Sequence, residues 1–105
     1  MSTSTPKSVF MLVFNVPESH VVACKASILA AGVGRCWTTL GAGQFRPGDT
    51  ANPHIGSVGE LEHVPEVRVE APCVGEDTVK KVVEALKGAH PYEEPSYKVI
   101  RVESF

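Results

Sequence analysis

Near the C-terminal end the chain reads His90-Pro91-Tyr92-Glu93-Glu94-Pro95, an imidazole, a phenol and two adjacent carboxylates between two prolines. Groups of these types can give and take protons near neutrality, or offer oxygen and nitrogen donors to a hard cation. His90, Tyr92, Glu93 and Glu94 are therefore the candidate catalytic residues. A metal centre is not expected, because no His-x-x-x-His, His-x-Glu or Asp-x-Asp spacing accompanies them. His54 and His63 fall in stretches read as loops, with nothing to bring them to His90. The competing reading is architectural. Two prolines stiffen the turn, and the polar groups close onto neighbouring main chain with no cofactor involved.

A second candidate stretch is "GAGQFRP", Gly41 to Pro47. Its glycines permit a close backbone approach, but they open no helix and no lysine follows, so this is not a phosphate-binding loop of the P-loop kind. Gln44 and Arg46 alternate with Phe45, which predicts a buried Phe45 and an outward Arg46. Further on, Glu66, Arg68 and Glu70 alternate with Val67, Val69 and Ala71. With Arg46 on the neighbouring strand they form an expected charge ladder. Such a ladder is a solvated face, a subunit interface or the wall of a ligand pocket.

The elements that must position these residues follow from composition and periodicity. A chain of 105 residues, 43% hydrophobic and 21% charged, fits one globular domain. Residues 1–8 read as a flexible lead-in and 9–105 as the single domain. The net charge of −2 and the lack of a basic run argue against nucleic acid and anionic membranes as partners. The apolar run Val9 to Val16 is too short to span a bilayer and has no A-x-A cleavage signal. Three cysteines without a Cys-x-x-Cys spacing read as reduced thiols in a cytoplasmic protein.

Val9 to Val16 is apolar on both alternating faces and reads as a central strand. Pro17 and Glu18 are expected to open a helix whose stripe is Val21, Cys24, Ile28 and Ala31, stopped at Gly32. A strand from about Trp37 to Phe45 follows, then an alternating strand ending near Cys73. A second helix carries Val79, Val82, Val83, Leu86 and Ala89 and ends near His90, which precedes a proline. "SYKVIRVES" is the last strand. The order predicts an α+β, ferredoxin-like βαββαβ fold, a four-stranded antiparallel sheet with two helices on one face. That plan leaves one sheet face bare, while the first strand is apolar on both sides. Self-association as a dimer or trimer through the open sheet face is the expected remedy, with Phe10, Leu12, Glu66 and Arg68 as interface residues.

"LGAGQFRPGDTANPHIGSVGELEHVPEVRVE" and "AHPYEEPSY" resemble the YqfO family, the Ngg-interacting-factor-three-like proteins, and within it the small PII-like and CutA-like domain. The resemblance covers about Val9 to Val102. It implies a ferredoxin-like fold, assembly through the sheet and no settled catalytic activity. Larger members carry this domain beside a metal-binding, enzyme-like scaffold, and the dimetal ligands belong to those flanking parts; other members consist of it alone. The stretch between Gly34-Arg35 and Trp37 is several residues shorter than the family pattern.

Two readings of function result. In the first, the protein is an oligomeric PII-like or CutA-like module that binds a small ligand or a partner protein. Its site sits at the subunit boundary and includes Gln44, Arg46, Glu70, His90, Tyr92 and Glu93. In the second, it is a small cofactor-free enzyme, an isomerase, cyclase or hydrolase. There His90 serves as general acid or base, oriented by Glu93 or Glu94, and Arg46 holds an anionic substrate.

Overall fold

The computed structural model describes residues 7–46 and 59–105. Most of the expected lead-in, and His54, lie outside the described residues. The elements in chain order are β1 (Val9–Pro17), a 3-10 turn (Glu18–His20), α1 (Val21–Ala30), β2 (Trp37–Phe45), β3 (Glu62–Val74), α2 (Glu76–Ala89) and β4 (Tyr97–Val102). All four strands form one antiparallel sheet in the order β2-β3-β1-β4. This is the ferredoxin-like arrangement that the element order predicts.

Local chemistry explains each boundary. Pro17 closes β1 instead of opening the helix, and α1 begins only after the intervening turn. Gly32 ends α1 at φ 126°, and the Val33 N–H reaches back to the Ile28 carbonyl at 3.1 Å. Only glycine adopts that backbone without strain. Glu76 and Asp77 place negative charge on the positive end of α2, and Val79, Val82 and Leu86 form its buried stripe. The two helices differ in their outer faces. α2 presents Lys80, Lys81, Glu84 and Lys87, whereas α1 presents exposed Val22 and Leu29.

The core lies between the helices and one sheet face. Phe10, Leu12, Phe14 and Val16 of β1 pair in register with Cys73, Ala71, Val69 and Val67 of β3. All eight join Cys24, Ile28, Val79, Val82 and Leu86 in a single cluster. This placement corrects one expectation. Phe10 and Leu12 are core residues under the helices, not residues of the open face. Alternation puts Val9, Met11 and Val13 on the open face instead. There they meet Val74, Pro72 and Glu70 on one side and Val102, Ile100 and Lys98 on the other. Trp37 is added at the β2 edge, opposite Glu70. Ile100, Val102, Val74 and Trp37 are 51%, 43%, 55% and 70% exposed.

Candidate functional site

α2 ends because Pro91 forces an extended conformation on the residue before it, and His90 sits at φ −73°, ψ 138°. Its backbone N–H still closes the last helical bond, to the Leu86 carbonyl at 2.9 Å. The side chain then turns toward β1. β4 pairs with β1 only as far as Phe14, which leaves the Asn15 carbonyl open on that edge. The imidazole fills the gap: Nε2 donates to the Asn15 carbonyl at 2.7 Å. Nδ1 accepts the Tyr92 backbone N–H at 3.1 Å. The ring is 7% exposed and meets Phe14 edge-on, with centroids 6.5 Å apart. One nitrogen donates and the other accepts, so the Nε2–H tautomer is fixed from both sides.

Tyr92 carries the corner toward the hairpin of β2 and β3. Its ring lies 4.9 Å from the His90 ring and 6.3 Å from Phe45. Its hydroxyl is buried beside the Glu66 carboxylate. Burial pushes the Glu66 carboxyl up, with the nearby Tyr92 hydroxyl pulling partly back. Burial also raises the phenol, and the neighbouring Glu66 charge raises it further. A folded-state pKa raised for a carboxyl means that its ionised form works against folding. The favourable contribution is present below the ordinary glutamate pKa and is lost as pH climbs through the raised value.

The corner therefore unites His90, Tyr92, Phe45, Glu66 and the Asn15 carbonyl. Glu66 is the member that sequence reasoning assigned elsewhere, to the interface ladder. Glu93 and Glu94 are exposed, and among the described residues no hydrogen bond or ion pair engages either. They do not orient the His90 ring, whose two nitrogens are already taken. Gln44 and Arg46 are exposed as well, and Arg46 falls one residue past the end of β2. Arg46 is thus no rung of the ladder; Thr39 stands opposite Arg68.

Glu70 does not meet Gln44 within one chain. Gln44 pairs with His63, seven residues down β3 from Glu70, or roughly 23 Å at strand rise. Glu70 instead accepts from Arg68 Nε at 3.0 Å, with the side chains 49% and 38% exposed. A separate cavity of about 390 Å³ lies by the N-terminus of α2, lined by Lys7, Ser8, Phe10, Glu76, Thr78 and Arg101 among others. None of the expected ligand-binding residues lines it. Among the described residues no cluster of histidine, cysteine and acidic side chains is arranged to hold a metal, and no helix is long and apolar enough to cross a membrane.

Comparison with known proteins gives a consistent picture. No family model matches the chain. Over 94 residues it is 39% identical to a GTP cyclohydrolase 1 type 2 homolog of Mycobacterium leprae, covering 83% of this chain and 24% of that protein. The chain spans about a quarter of the length of the curated relatives it matches. A Bacillus cereus protein related to NIF3 superposes with TM-score 0.82 at 27% identity, covering 98% of this chain and 28% of that one. CutA of Archaeoglobus fulgidus gives TM-score 0.71 at 13% identity, covering 92% of this chain and 86% of that one. The B. subtilis GlnK–ATP complex gives 0.68 at 12%, covering 94% and 85%. The last two show a shared fold.

Proposed function

The chain belongs to the family of GTP cyclohydrolase 1 type 2 homologs and NIF3-related proteins, matching about a quarter of their length, and from that premise we propose that it is a self-associating, non-catalytic module. The occupant of its open sheet face is a second copy of the chain. The observation that carries this reading is the apolar end of that face. Among the described residues, Val9, Met11, Val74, Ile100 and Val102 form a continuous surface with no helix over it. Such a surface costs free energy against water at about 25 cal/mol per Å² and favours burial.

The adjoining Arg68–Glu70 pair and Lys98 give the face both signs of charge, so two or three copies can dock with charges matched. A small ligand or a partner protein would bind at the boundary between copies. There Glu70 of one protomer can approach Gln44 or Arg46 of another, which the roughly 23 Å spacing along β3 forbids within one. The catalytic reading gains no support from His90, whose nitrogens are both committed to main chain.

Sedimentation velocity at micromolar concentration tests the proposal. The wild type sediments as a dimer or trimer. Ile100→Asp, which charges the centre of the apolar end, sediments as a monomer with its helical circular dichroism retained. A wild type that stays monomeric at tens of micromolar overturns the reading.

Arg68→Ala gives a finer test. Because the Arg68–Glu70 pair is about half exposed, its loss costs the isolated protomer less than about 1 kcal/mol. Assembly weakens by more than that when the pair is covered, as a concentration series of sedimentation runs would register. Equal effects on protomer and assembly would return these charges to a solvated face.

A further inference from the structure

β2 is an outermost strand of the sheet, and its nine residues pair on one side only. Every second residue of an antiparallel strand turns its N–H and C=O away from the neighbour it already has. Among the described residues, no other main chain takes these groups on β2. Such an edge is a template for another strand, and proteins guard edges with charge, proline, bulges or a covering element. β4, the opposite edge, is guarded: it has six residues, carries Lys98 and Arg101, and starts two residues after Pro95. β2 lacks these guards. Trp37–Phe45 contains no charged residue and no proline. Its register with β3 runs unbroken from Trp37 opposite Glu70 to Phe45 opposite Glu62, which leaves no bulge. Residues 37–42 are all exposed, Leu40 to 64%.

The strand is complementary to itself. Set antiparallel against a second copy about Gly41, its midpoint, all nine residues find a partner, and no other register achieves that. Trp37 of each copy then stands opposite Phe45 of the other, an aromatic pair at both ends on the open face. The indole N–H is already satisfied, donating to Thr39 Oγ1 at 3.1 Å, so the ring is free for an apolar contact. Leu40 stands opposite Ala42 twice, large beside small, on the helix side of the sheet. Like charges are kept apart. The Glu66 carboxylate lies over Gly43, where a Cβ would collide with it. The two such carboxylates fall roughly 14 Å from each other at strand rise, beyond the screening length at physiological salt.

We propose that β2 is a docking edge whose occupant is β2 of a second copy, joined about a two-fold axis through Gly41 into one eight-stranded sheet. This contact is separate from the bare sheet face and does not depend on that face being covered. The two-fold stands perpendicular to the sheet, so the helices of both copies lie on one side and both bare faces on the other. The two contacts can therefore coexist. A strand edge alone covers little apolar area, so it closes at higher concentration than the face, roughly in the hundreds of micromolar.

Sedimentation equilibrium of the full chain carrying Ile100→Asp, which removes the sheet-face contact, isolates the edge. From tens to hundreds of micromolar this parent passes from monomer to dimer. Leu40→Lys with Ala42→Lys sets lysines against lysines across the two-fold, and Leu40→Glu with Ala42→Glu does the same with carboxylates. Both positions are exposed and face Val67 and Pro65 within the chain, so the protomer is spared. Each double variant alone should dimerise about ten-fold more weakly, and an equimolar mixture should return to within about three-fold of the parent. The charge swap reads this edge alone, whatever the face does. A parent that stays monomeric throughout the range overturns the proposal. So do double variants that dimerise like the parent. A lysine form weakened and a carboxylate form strengthened, with no gain on mixing, would assign the edge to a cationic strand such as β4 and overturn it as well.

Discussion

Replacing His90 by alanine is expected to lower the melting temperature by about 10–30 °C without abolishing the fold. The imidazole satisfies the Asn15 carbonyl and the Tyr92 N–H, at 2.7 and 3.1 Å, in a setting where the ring is 7% exposed. Each buried main-chain group left without a partner costs about 1–3 kcal/mol, and water entering the vacated space recovers part of it. A net loss of about 2–4 kcal/mol follows, and in a domain of this size each kcal/mol moves the midpoint by about 4–8 °C. His90→Gln retains one donor and one acceptor on a flexible stem and should recover roughly half of the loss. Thermal melts followed by circular dichroism decide the matter. A midpoint within two or three degrees of the wild type (about 0.5 kcal/mol) would remove His90 from the architecture. If a substrate were then found whose turnover vanished in the same variant, the imidazole would be a proton carrier after all.

Phe14→Ala should be costlier still, by about 3–5 kcal/mol in urea unfolding. Phe14 is 1% exposed at the middle of the central strand, flanked by Val69 on β3 and Tyr97 on β4. Its removal leaves a cavity that a sheet paired on both sides cannot collapse into. For a domain worth about 5–15 kcal/mol this is a large share of the total. Phe14 also supplies the wall that the His90 ring meets edge-on. The double variant should therefore lose less than the sum of the singles, by about 0.5–1.5 kcal/mol. Strict additivity would confine the role of His90 to its two hydrogen bonds. A single-variant loss below about 1 kcal/mol would contradict the position of Phe14 in the core.

Much of the scaffold was legible because the patterns were unambiguous. The stripe Val79, Val82 and Leu86 has only one helical interpretation, and the proline after His90 permits only one stop. β2 occupies the span that its composition indicates. The faces of β1 were not legible for an equally physical reason. "VFMLVFNV" is apolar at odd and even positions alike, so its period carries no parity. Parity comes only from pairing with β3, where Val67, Val69 and Ala71 alternate with charges and mark the core side. The same pairing would have moved the interface from Phe10 and Leu12 to Met11 and its neighbours. The partnership of Glu66 with Tyr92 was out of reach. It depends on where β1 stops relative to β3, and no local pattern encodes that. Glu93 and Glu94 look like the chemistry of the motif, yet the residues that carry its contacts are His90 and Tyr92.

The pairing of Val9 with Val102 has a consequence of a different kind. The polypeptide enters and leaves this sheet through adjacent strands, with the two Cα atoms about 5 Å apart. A host protein could carry the whole unit in one of its surface turns, because the ends present themselves as the stems of a tight loop. Closing so short a gap adds little chain entropy, and neither partner is pried open. By the same geometry, a few residues linking Val102 to Val9 would permit a circular permutant, with new ends cut in the turn between α1 and β2.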